Sequence, residues 1–238
     1  MKIDVHNHVG FDPEYEIERK ASDLLKEMEN SEINKSIIFP FTTNPDILGQ
    51  NELISKAINK NKENFIGFFS MNPKLDEMTS LIEDYKNKGF KGIVTDPRFG
   101  VDHSEKLFHE LVECANLHEL IVWLHSDDKD TMRVYIQPLE TMLNKYPSTM
   151  FILSSMYYDA VGIATRHKNV FLDTSTAMSG SMTAAWTQPI GTHRILMGSN
   201  SPYNSLKREI EKLEFAPELT AFQKSLIFYE NARRLINL

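Results

Sequence analysis

Short apolar runs alternate with charged, helix-like segments along the whole chain, and this alternation limits the fold more than any other feature. The runs occupy residues 2–6, 35–40, 64–70, 91–95, 120–125, 149–153, 169–173 and 194–197. They are rich in β-branched and aromatic residues, which is typical of strands buried on both faces of a parallel sheet. Eight strand–helix units in 238 residues indicate either a closed eight-stranded barrel or an open doubly wound sheet.

Helical spacing of apolar residues predicts helices at 23–30, 52–61, 131–146 and 220–235, and another that Ser104 caps. No glycine-rich phosphate-binding fingerprint or Walker-type loop follows the first strand, which disfavours a dinucleotide-binding open sheet. We therefore predict an α/β fold, a TIM-type (β/α)8 barrel formed by residues 1–238 as a single domain. The connections 10–16, 41–49, 99–103 and 174–188 would then shape the mouth, and 174–188 would serve as a lid or contact a partner.

Composition excludes several classes of partner. The formal net charge is -7, and no block of Lys and Arg forms the basic face that a nucleic-acid partner requires. No apolar run reaches the roughly 20 residues that span a bilayer, and a candidate site motif leaves no room for a signal peptide before it, so we expect a cytoplasmic protein. The single cysteine, Cys114, is expected to be a buried filler in a helix. Self-association is left open.

The first strand carries a His-x-His pair. A strand's period of two places Asp4, His6 and His8 on one side, with Ile3 and Val5 on the other. If the apolar pair packs against the helices, both imidazoles point into the barrel. Two such rings, about 6–7 Å apart along a strand, can share one divalent ion bound at about 2.1 Å. The pair alone is more typical of a polar strand surface.

A third histidine strengthens the metal hypothesis. His125 ends the apolar run 121–124, the position at which a barrel displays site residues. We therefore predict a metal site formed by His6, His8 and His125. Of the remaining histidines, four fall in or beside helices and His193 precedes the last strand, and surface or capping roles are expected for all of them.

Several motifs, in order, resemble the amidohydrolase superfamily, in its compact branch related to aminocarboxymuconate semialdehyde decarboxylase. Residues 3–8 are similar to the opening Asp-x-His-x-His, 123–125 to the fifth-strand His, and 194–202 to the Gly-Ser-Asp-x-Pro segment of the eighth strand. Residues 64–73, 89–97, 170–175 and 231–235 resemble the third, fourth and seventh strands and the closing helix. The resemblance covers nearly the whole chain and implies a metal-dependent barrel enzyme.

The chain departs from the family at two site positions. Asn200 stands where the family usually has an Asp that binds the metal and accepts a proton, and Ser155 stands where strand six usually ends in His. An amide can offer its carbonyl oxygen to a metal but cannot act as a base at neutral pH. The hydroxyl of Ser155 is expected to bind substrate instead.

Strand four supplies a substitute base in this hypothesis. Asp96 is preferred because strand alternation from Val94 aims it inward, although an Asp that starts a turn before Pro97 is an equal alternative. Asp127 and Asp128 are further candidates. Arg98 is expected to face an anionic substrate group, with an exposed surface arginine as the alternative.

These residues support three functions. The first is a metal-dependent hydrolase of a small amide, lactone or ester, in which one divalent ion polarises the carbonyl and Asp96 or Asn200 orients water. Zinc is the preferred ion, with manganese or another divalent metal as the alternative. The second is non-oxidative decarboxylation of a small carboxylic acid at the same site, and the third is a catalytically impaired barrel that binds a metal or metabolite.

Overall fold

Eight parallel strands, each followed by a helix, form the body of the molecule. The structure, a computed structural model, describes residues 1–125, 136–154 and 159–238. The eight strands are β1 Ile3–His8, β4 Lys35–Phe39, β5 Phe65–Ser70, β6 Gly92–Thr95, β7 Ile121–Leu124, β8 Phe151–Leu153, β9 Val170–Asp173 and β10 Ile195–Leu196. A two-stranded hairpin, β2 Gly10–Asp12 with β3 Ile17–Arg19, follows β1.

The helices lie between the strands and after the last one. They are α1 Ala21–Asn30, α2 Ile47–Lys60, α3 Met78–Asn87, α4 Lys106–Leu117, α5 Ile136–Lys145, α6 Ala160–Arg166, α7 Gly180–Trp186, α8 Leu206–Glu214, α9 Ala221–Ser225 and α10 Asn231–Leu235. Among the described residues, no helix has the length and apolar character needed to cross a membrane.

The sheet closes on itself. Its strands follow one another in chain order from β1 to β10. Beyond that order, the Val5 amide donates to the Met197 carbonyl at 2.9 Å and the His8 amide donates to the Ser201 carbonyl at 2.8 Å. These bonds join the last strand to the first, so the predicted (β/α)8 barrel is confirmed.

Two apolar layers stabilise the barrel. The outer layer lies between the strands and the helices, and the inner one fills the barrel with side chains from the strands, the largest being Trp123, Phe39 and Phe68. Ala232 and Ile236, near the C-terminus, belong to the inner layer. The interior is therefore a packed core, and polar residues concentrate at the carboxyl ends of the strands.

A bulge in β1 overturns one step of the sequence argument. Asp4 pairs with Ser36 and Asn7 with Ile38, so three residue steps on β1 oppose two on β4. Ile3 and Val5 consequently belong to the inner apolar layer, and not to the layer against the helices. The expectation that they share a side apart from the histidines was wrong because an extra residue changes the alternation. His6 and His8 still point into the barrel mouth.

The connections also differ from expectation. Residues 10–16, expected as a loop, contribute to the β2–β3 hairpin, and residues 174–188 contain α7. Helix α2 begins at residue 47, earlier than predicted, because the Asp46 side chain accepts from the Gly49 amide and caps it. Ser104 does not cap α4; its hydroxyl donates to Asp102 instead. Residues 131–135 of the predicted helix 131–146 lie outside the described residues.

Candidate metal centre

Three buried histidines meet at the carboxyl end of the barrel. His6 and His8 lie at the end of β1, and His125 follows β7 directly. Their ring centroids are 5.3, 5.4 and 5.4 Å apart. One ligand atom from each lies within 4.8 Å of the others. The structure therefore brings the three predicted ligands together.

The donor atoms suit a divalent ion. Tetrahedral coordination at about 2.1 Å places donor atoms about 3.4 Å apart, which small ring rotations reach from the observed triangle. Nε2 of His6 is buried and has no hydrogen-bond partner among the described residues. Burial, followed by the charges of His6 and His125, holds the pKa of His8 well below its ordinary value, so its ring is neutral and ready to bind a metal.

Asn200 extends this triangle. Its Oδ1 lies 3.1 Å from Nε2 of His8, a separation that two donors to one ion also adopt. The residue has a left-handed φ of 59°, a conformation that Asn tolerates better than most residues. The amide oxygen can therefore serve as a neutral fourth donor.

Asp173 lies behind His6. Its Oδ1 is 3.6 Å from Nδ1 of His6 and accepts from the Ser175 amide at 2.8 Å. Burial alone would raise the pKa of Asp173, but the charge of His6 and these hydrogen bonds outweigh it and lower the pKa. A carboxylate in this place fixes the ring orientation of a metal-binding histidine. Sequence reasoning did not assign this role, although Asp173 ends the predicted strand 169–173.

Asp96 lies behind His125 in the same way. Its Oδ2 is 3.3 Å from Nδ1 of His125 and accepts from the Thr42 hydroxyl at 2.8 Å. The Arg98 guanidinium donates to both carboxylate oxygens, at 3.1 and 2.9 Å. Burial opposes ionisation, but hydrogen bonds and charge from His125 and Arg98 prevail and hold the pKa of Asp96 well below its usual range.

The remaining predicted site residues differ in their surroundings. Arg98 pairs with Glu14 at 3.2 Å as well as with Asp96, so its guanidinium is already engaged by two carboxylates. Ser155, Asp127 and Asp128 lie outside the described residues. Their predicted roles stay predictions.

Aromatic rings form the walls around the histidines. The Trp123 ring meets His6 edge-on with centroids 4.9 Å apart, Phe41 stacks on His8 at 4.9 Å, and the Tyr203 ring lies 5.4 Å from His8. Gly198 passes so close that a Cβ there would lie 3.0 Å from the Cβ atoms of Asp173 and His6. These apolar walls reduce water access and strengthen electrostatic interactions at the site.

The fold is thus a closed parallel barrel, and the three histidines at the carboxyl ends of its first and fifth strands could hold a metal ion. The family model for amidohydrolases matches residues 3–238. The chain therefore belongs to this amidohydrolase family, as its motifs indicate. No curated protein matches the chain.

Solved structures show the same fold. The chain is similar to 5-carboxyvanillate decarboxylase LigW from Sphingomonas paucimobilis, with 13% identity, a TM-score of 0.82 and coverage of 100% of this chain and 99% of that one. A dihydroxybenzoic acid decarboxylase from Polaromonas sp. JS666, with bound manganese and the inhibitor 2-nitroresorcinol, has 15% identity, a TM-score of 0.81 and coverage of 100% and 97%. The 4-oxalomesaconate hydratase LigJ from Rhodopseudomonas palustris has 18% identity, a TM-score of 0.76 and coverage of 100% and 96%.

Proposed function

We propose that this protein is a metal-dependent lyase that removes CO2 from a small carboxylic acid without a redox step. The proposal rests on the engagement of the carboxylates near the three histidines, among the described residues. Asp96 and Asp173 each lie behind a histidine, and Asn200 has an amide that cannot accept a proton at neutral pH. A base that takes a proton from water accelerates hydrolysis, even where a metal lowers the pKa of that water. Loss of CO2 uses no attacking water, which favours it over the hydrolysis expected first.

The ligand set of the proposed site is neutral. His6, His8 and His125 would hold one divalent ion, and the Asn200 amide oxygen would complete the set. When bound, the ion supplies a Lewis acid for the oxygen atoms of a substrate. Imidazole donors suit zinc, whereas the amide oxygen suits manganese, so zinc stays the first choice and manganese the second.

Asp96 and Asp173 act as positioning residues in this proposal. Each carboxylate faces Nδ1 of its histidine, at 3.3 Å for His125 and 3.6 Å for His6, which leaves Nε2 of both rings on the side of the cluster. Because both oxygens of Asp96 are already engaged by Arg98, Thr42 and His125, we assign it this role in preference to that of a free base.

The reaction balances without water or an oxidant. The bond between the carboxylate carbon and its neighbour breaks, CO2 leaves, and the electron pair stays on the neighbouring carbon and takes a proton. Each turnover therefore consumes one proton and releases one CO2. Two of the similar solved structures are named as decarboxylases of substituted benzoic acids, so hydroxybenzoates form the first substrate panel.

Metal uptake is the first test. Protein purified without chelator, or refilled with Zn²⁺ or Mn²⁺, should hold about one ion per chain by elemental analysis. His8→Ala should lose this ion, whereas His118→Ala, which replaces a histidine at the end of α4, should keep it. Equal metal content in both variants would refute the three-histidine site.

Activity separates the three functions. Metal-loaded protein should release CO2 from the panel with uptake of protons from the medium, and His8→Ala should not. We expect Asn200→Asp to produce no hydrolysis of simple lactones. A large gain of lactone hydrolysis in Asn200→Asp would favour a decayed hydrolase, and full metal occupancy without CO2 release from any panel member would favour a binding protein; either result contradicts the proposal.

A further inference from the structure

His8 differs from the other two histidines of the candidate metal centre in what lies behind its ring. A buried carboxylate lies behind each of those two. Among the described residues, the polar contacts of His8 are with the amide oxygen of Asn200, at 3.1 Å, and with the carbonyl of Pro40. A carboxylate that fixes the ring supports metal binding by a histidine. The orientation of His8 therefore depends on other neighbours.

Two aromatic rings enclose His8 at the barrel mouth. Phe41 stacks on it, with centroids 4.9 Å and planes 15° apart, and Tyr203 meets it edge-on at 5.4 Å. The rings of Tyr203 and Phe41 also meet edge-on, with centroids 5.7 Å apart. Aromatic pairs prefer such geometries, so the position of the Tyr203 ring limits how the His8 ring can turn.

Asp12 holds the far end of Tyr203. The phenol donates a hydrogen bond to the carboxylate of Asp12, a fully buried residue at the end of β2. Burial opposes ionisation of Asp12, but hydrogen bonds from Tyr203, from Thr43 and from two backbone amides outweigh it and lower its pKa. The carboxylate is therefore charged at neutral pH, and a hydrogen bond to a charged acceptor is roughly twice as strong as a neutral one.

The Asp12 carboxylate is itself fixed by its neighbours. Its Oδ1 accepts from the Thr43 hydroxyl at 2.7 Å and from the Glu14 amide at 2.9 Å, while its Oδ2 accepts from Tyr203. Thr43 lies on the connection after β4, which also carries Phe41. Asp12 thus joins the two connections whose aromatic rings enclose His8.

The same hydrogen bond restrains the segment that carries Asn200. Tyr203 follows Asn200 by three positions, and the Asn204 amide donates to the Asn200 carbonyl at 3.2 Å. Residues 200–204 therefore form one turn. A displacement of the Tyr203 ring would move this turn, and with it the amide oxygen that lies 3.1 Å from Nε2 of His8.

We propose that Asp12 is a positioning residue of the metal centre. By holding the phenol of Tyr203, it fixes the ring of His8 and the turn that carries Asn200. Asp12 then does for His8, through one intervening ring, what a carboxylate does directly for each of the other two histidines. The inference rests on the metal site of the proposed function, and not on the reaction that this site catalyses.

The zinc affinity of three variants tests this role. Zn²⁺ is titrated into metal-free protein in competition with a chromophoric chelator. Tyr203→Phe keeps the ring but releases it from Asp12, and Asp12→Asn weakens the same hydrogen bond from the other side. Each should weaken Zn²⁺ binding about three- to ten-fold, less than the loss of roughly 10–100-fold that follows removal of a direct partner of a metal-binding histidine. Because both changes break one link, the double variant should bind Zn²⁺ about as well as the weaker single variant.

Asp46→Asn is the matched control. Asp46 is a carboxylate on the connection after β4, and its Oδ1 accepts from the Gly49 amide at 3.0 Å. Asn can cap a helix as well as Asp does, so this variant should change the affinity for Zn²⁺ less than about two-fold.

Bound Co²⁺ distinguishes positioning from a general loss of stability. The visible absorption of Co²⁺ depends on its coordination geometry, which the ligands set. Asp12→Asn and Tyr203→Phe should therefore change the absorption of the fully loaded protein, whereas Asp46→Asn should not. Urea unfolding of the metal-free proteins checks that each variant folds, and Tyr203→Phe, which removes only a hydroxyl, supplies a folded comparison.

Three results would decide against the inference. Wild-type Zn²⁺ affinity and Co²⁺ absorption in both single variants would overturn it while the three-histidine site stands. Losses of affinity that multiply in the double variant would show that Asp12 acts independently of Tyr203, and would overturn it as well. Wild-type protein that binds metal but releases no CO2 contradicts the proposed lyase alone, whereas wild-type protein that binds no metal overturns both.

Discussion

Replacing Asp96 by Asn tests how the mouth of the barrel is held together. The change keeps the shape of the side chain but removes its charge and puts an amide nitrogen where acceptors stood. Both oxygens of Asp96 now accept hydrogen bonds: Oδ1 from the amide and Nε of Arg98, and Oδ2 from Nη2 of Arg98 and from Thr42. In Asp96→Asn, the amide NH2 would replace one of these two acceptor oxygens. Its N–H groups would then face the N–H or O–H donors of Arg98 or Thr42, with no acceptor between them.

The structure sets the expected magnitude. A hydrogen bond to a charged acceptor contributes about 1.5–3 kcal/mol, and a donor left unsatisfied costs a similar amount. The Arg98 side chain is 32% exposed and also pairs with Glu14, so solvent and that second partner reduce the loss. We expect Asp96→Asn to lower the free energy of unfolding by about 2–3 kcal/mol at pH 7, which lowers Tm by roughly 5–10 °C in a chain of this size.

The dependence on pH has a definite sign. Burial opposes ionisation of Asp96, but hydrogen bonds and charge from His125 and Arg98 lower its folded pKa below the ordinary 3.8. A carboxylate with a lowered folded pKa stabilises the protein above its unfolded pKa, and that stabilisation is lost as the pH falls through the folded pKa. The difference in the free energy of unfolding between wild type and Asp96→Asn should therefore be constant from pH 5 to 7. Below about pH 4 this difference should decrease by about 1.4 kcal/mol per pH unit.

Urea unfolding of the metal-free proteins measures both effects. The control is Asp159→Asn, which removes the carboxylate from a pair with Arg166 whose side chains are 44% and 48% exposed. Such a pair contributes less than about 1 kcal/mol. The reasoning would be refuted if both variants lost the same free energy of unfolding. It would also be refuted if the free-energy difference between wild type and Asp96→Asn were the same at pH 3 as at pH 7.

Three further changes probe buried parts of the barrel by the same unfolding measurement. Burial raises the pKa of Glu209 to about 7 from an ordinary 4.5, so its contribution to stability is complete below pH 4.5 and is lost as the pH rises through 7. Glu209→Gln should remove about 3 kcal/mol of the resulting pH dependence of the free energy of unfolding. An unchanged dependence on pH would contradict this prediction. A Cβ at Gly92 would lie 2.4 Å from the Phe68 ring, so Gly92→Ala should cost about 1–3 kcal/mol, and adding Phe68→Leu should recover part of that loss. The buried Arg194 guanidinium donates to the carbonyls of residues 167 and 170 at 2.8 and 3.2 Å; Arg194→Met should cost about 3 kcal/mol, and a cost below about 1 kcal/mol would show that water satisfies those carbonyls.

The barrel could be predicted from the sequence because strands that are buried on both faces must be apolar, and eight such apolar runs alternate with helix-like segments. Each run became a parallel strand, and His125 lies where the alternation from Trp123 places it. The bulge in β1 could not be predicted, because an extra residue leaves no mark in composition. The alternation argument failed for Ile3 and Val5 yet identified His6 and His8, of which the first lies within the bulge between Asp4 and Asn7 and the second follows it.

The surroundings of Asp96 show the other limit of sequence reasoning. Alternation from Val94 placed this residue near the site, but its partner Thr42 comes from another connection, 54 positions away in the chain. Whether a carboxylate is free or fully hydrogen-bonded depends on such long-range neighbours, and one sequence contains no local signal for them. The partnership of Asp173 with His6 was missed for the same reason.

Trp123 gives the barrel a built-in fluorophore. The chain has two tryptophans; one lies with its ring 4.9 Å from that of His6, and the other, Trp186, belongs to the outer apolar layer. A paramagnetic ion arriving at the histidines would quench the first strongly and the second weakly. The emission of Trp123 would therefore report metal occupancy, and the emission of Trp186 would serve as an internal reference in the same unlabelled protein.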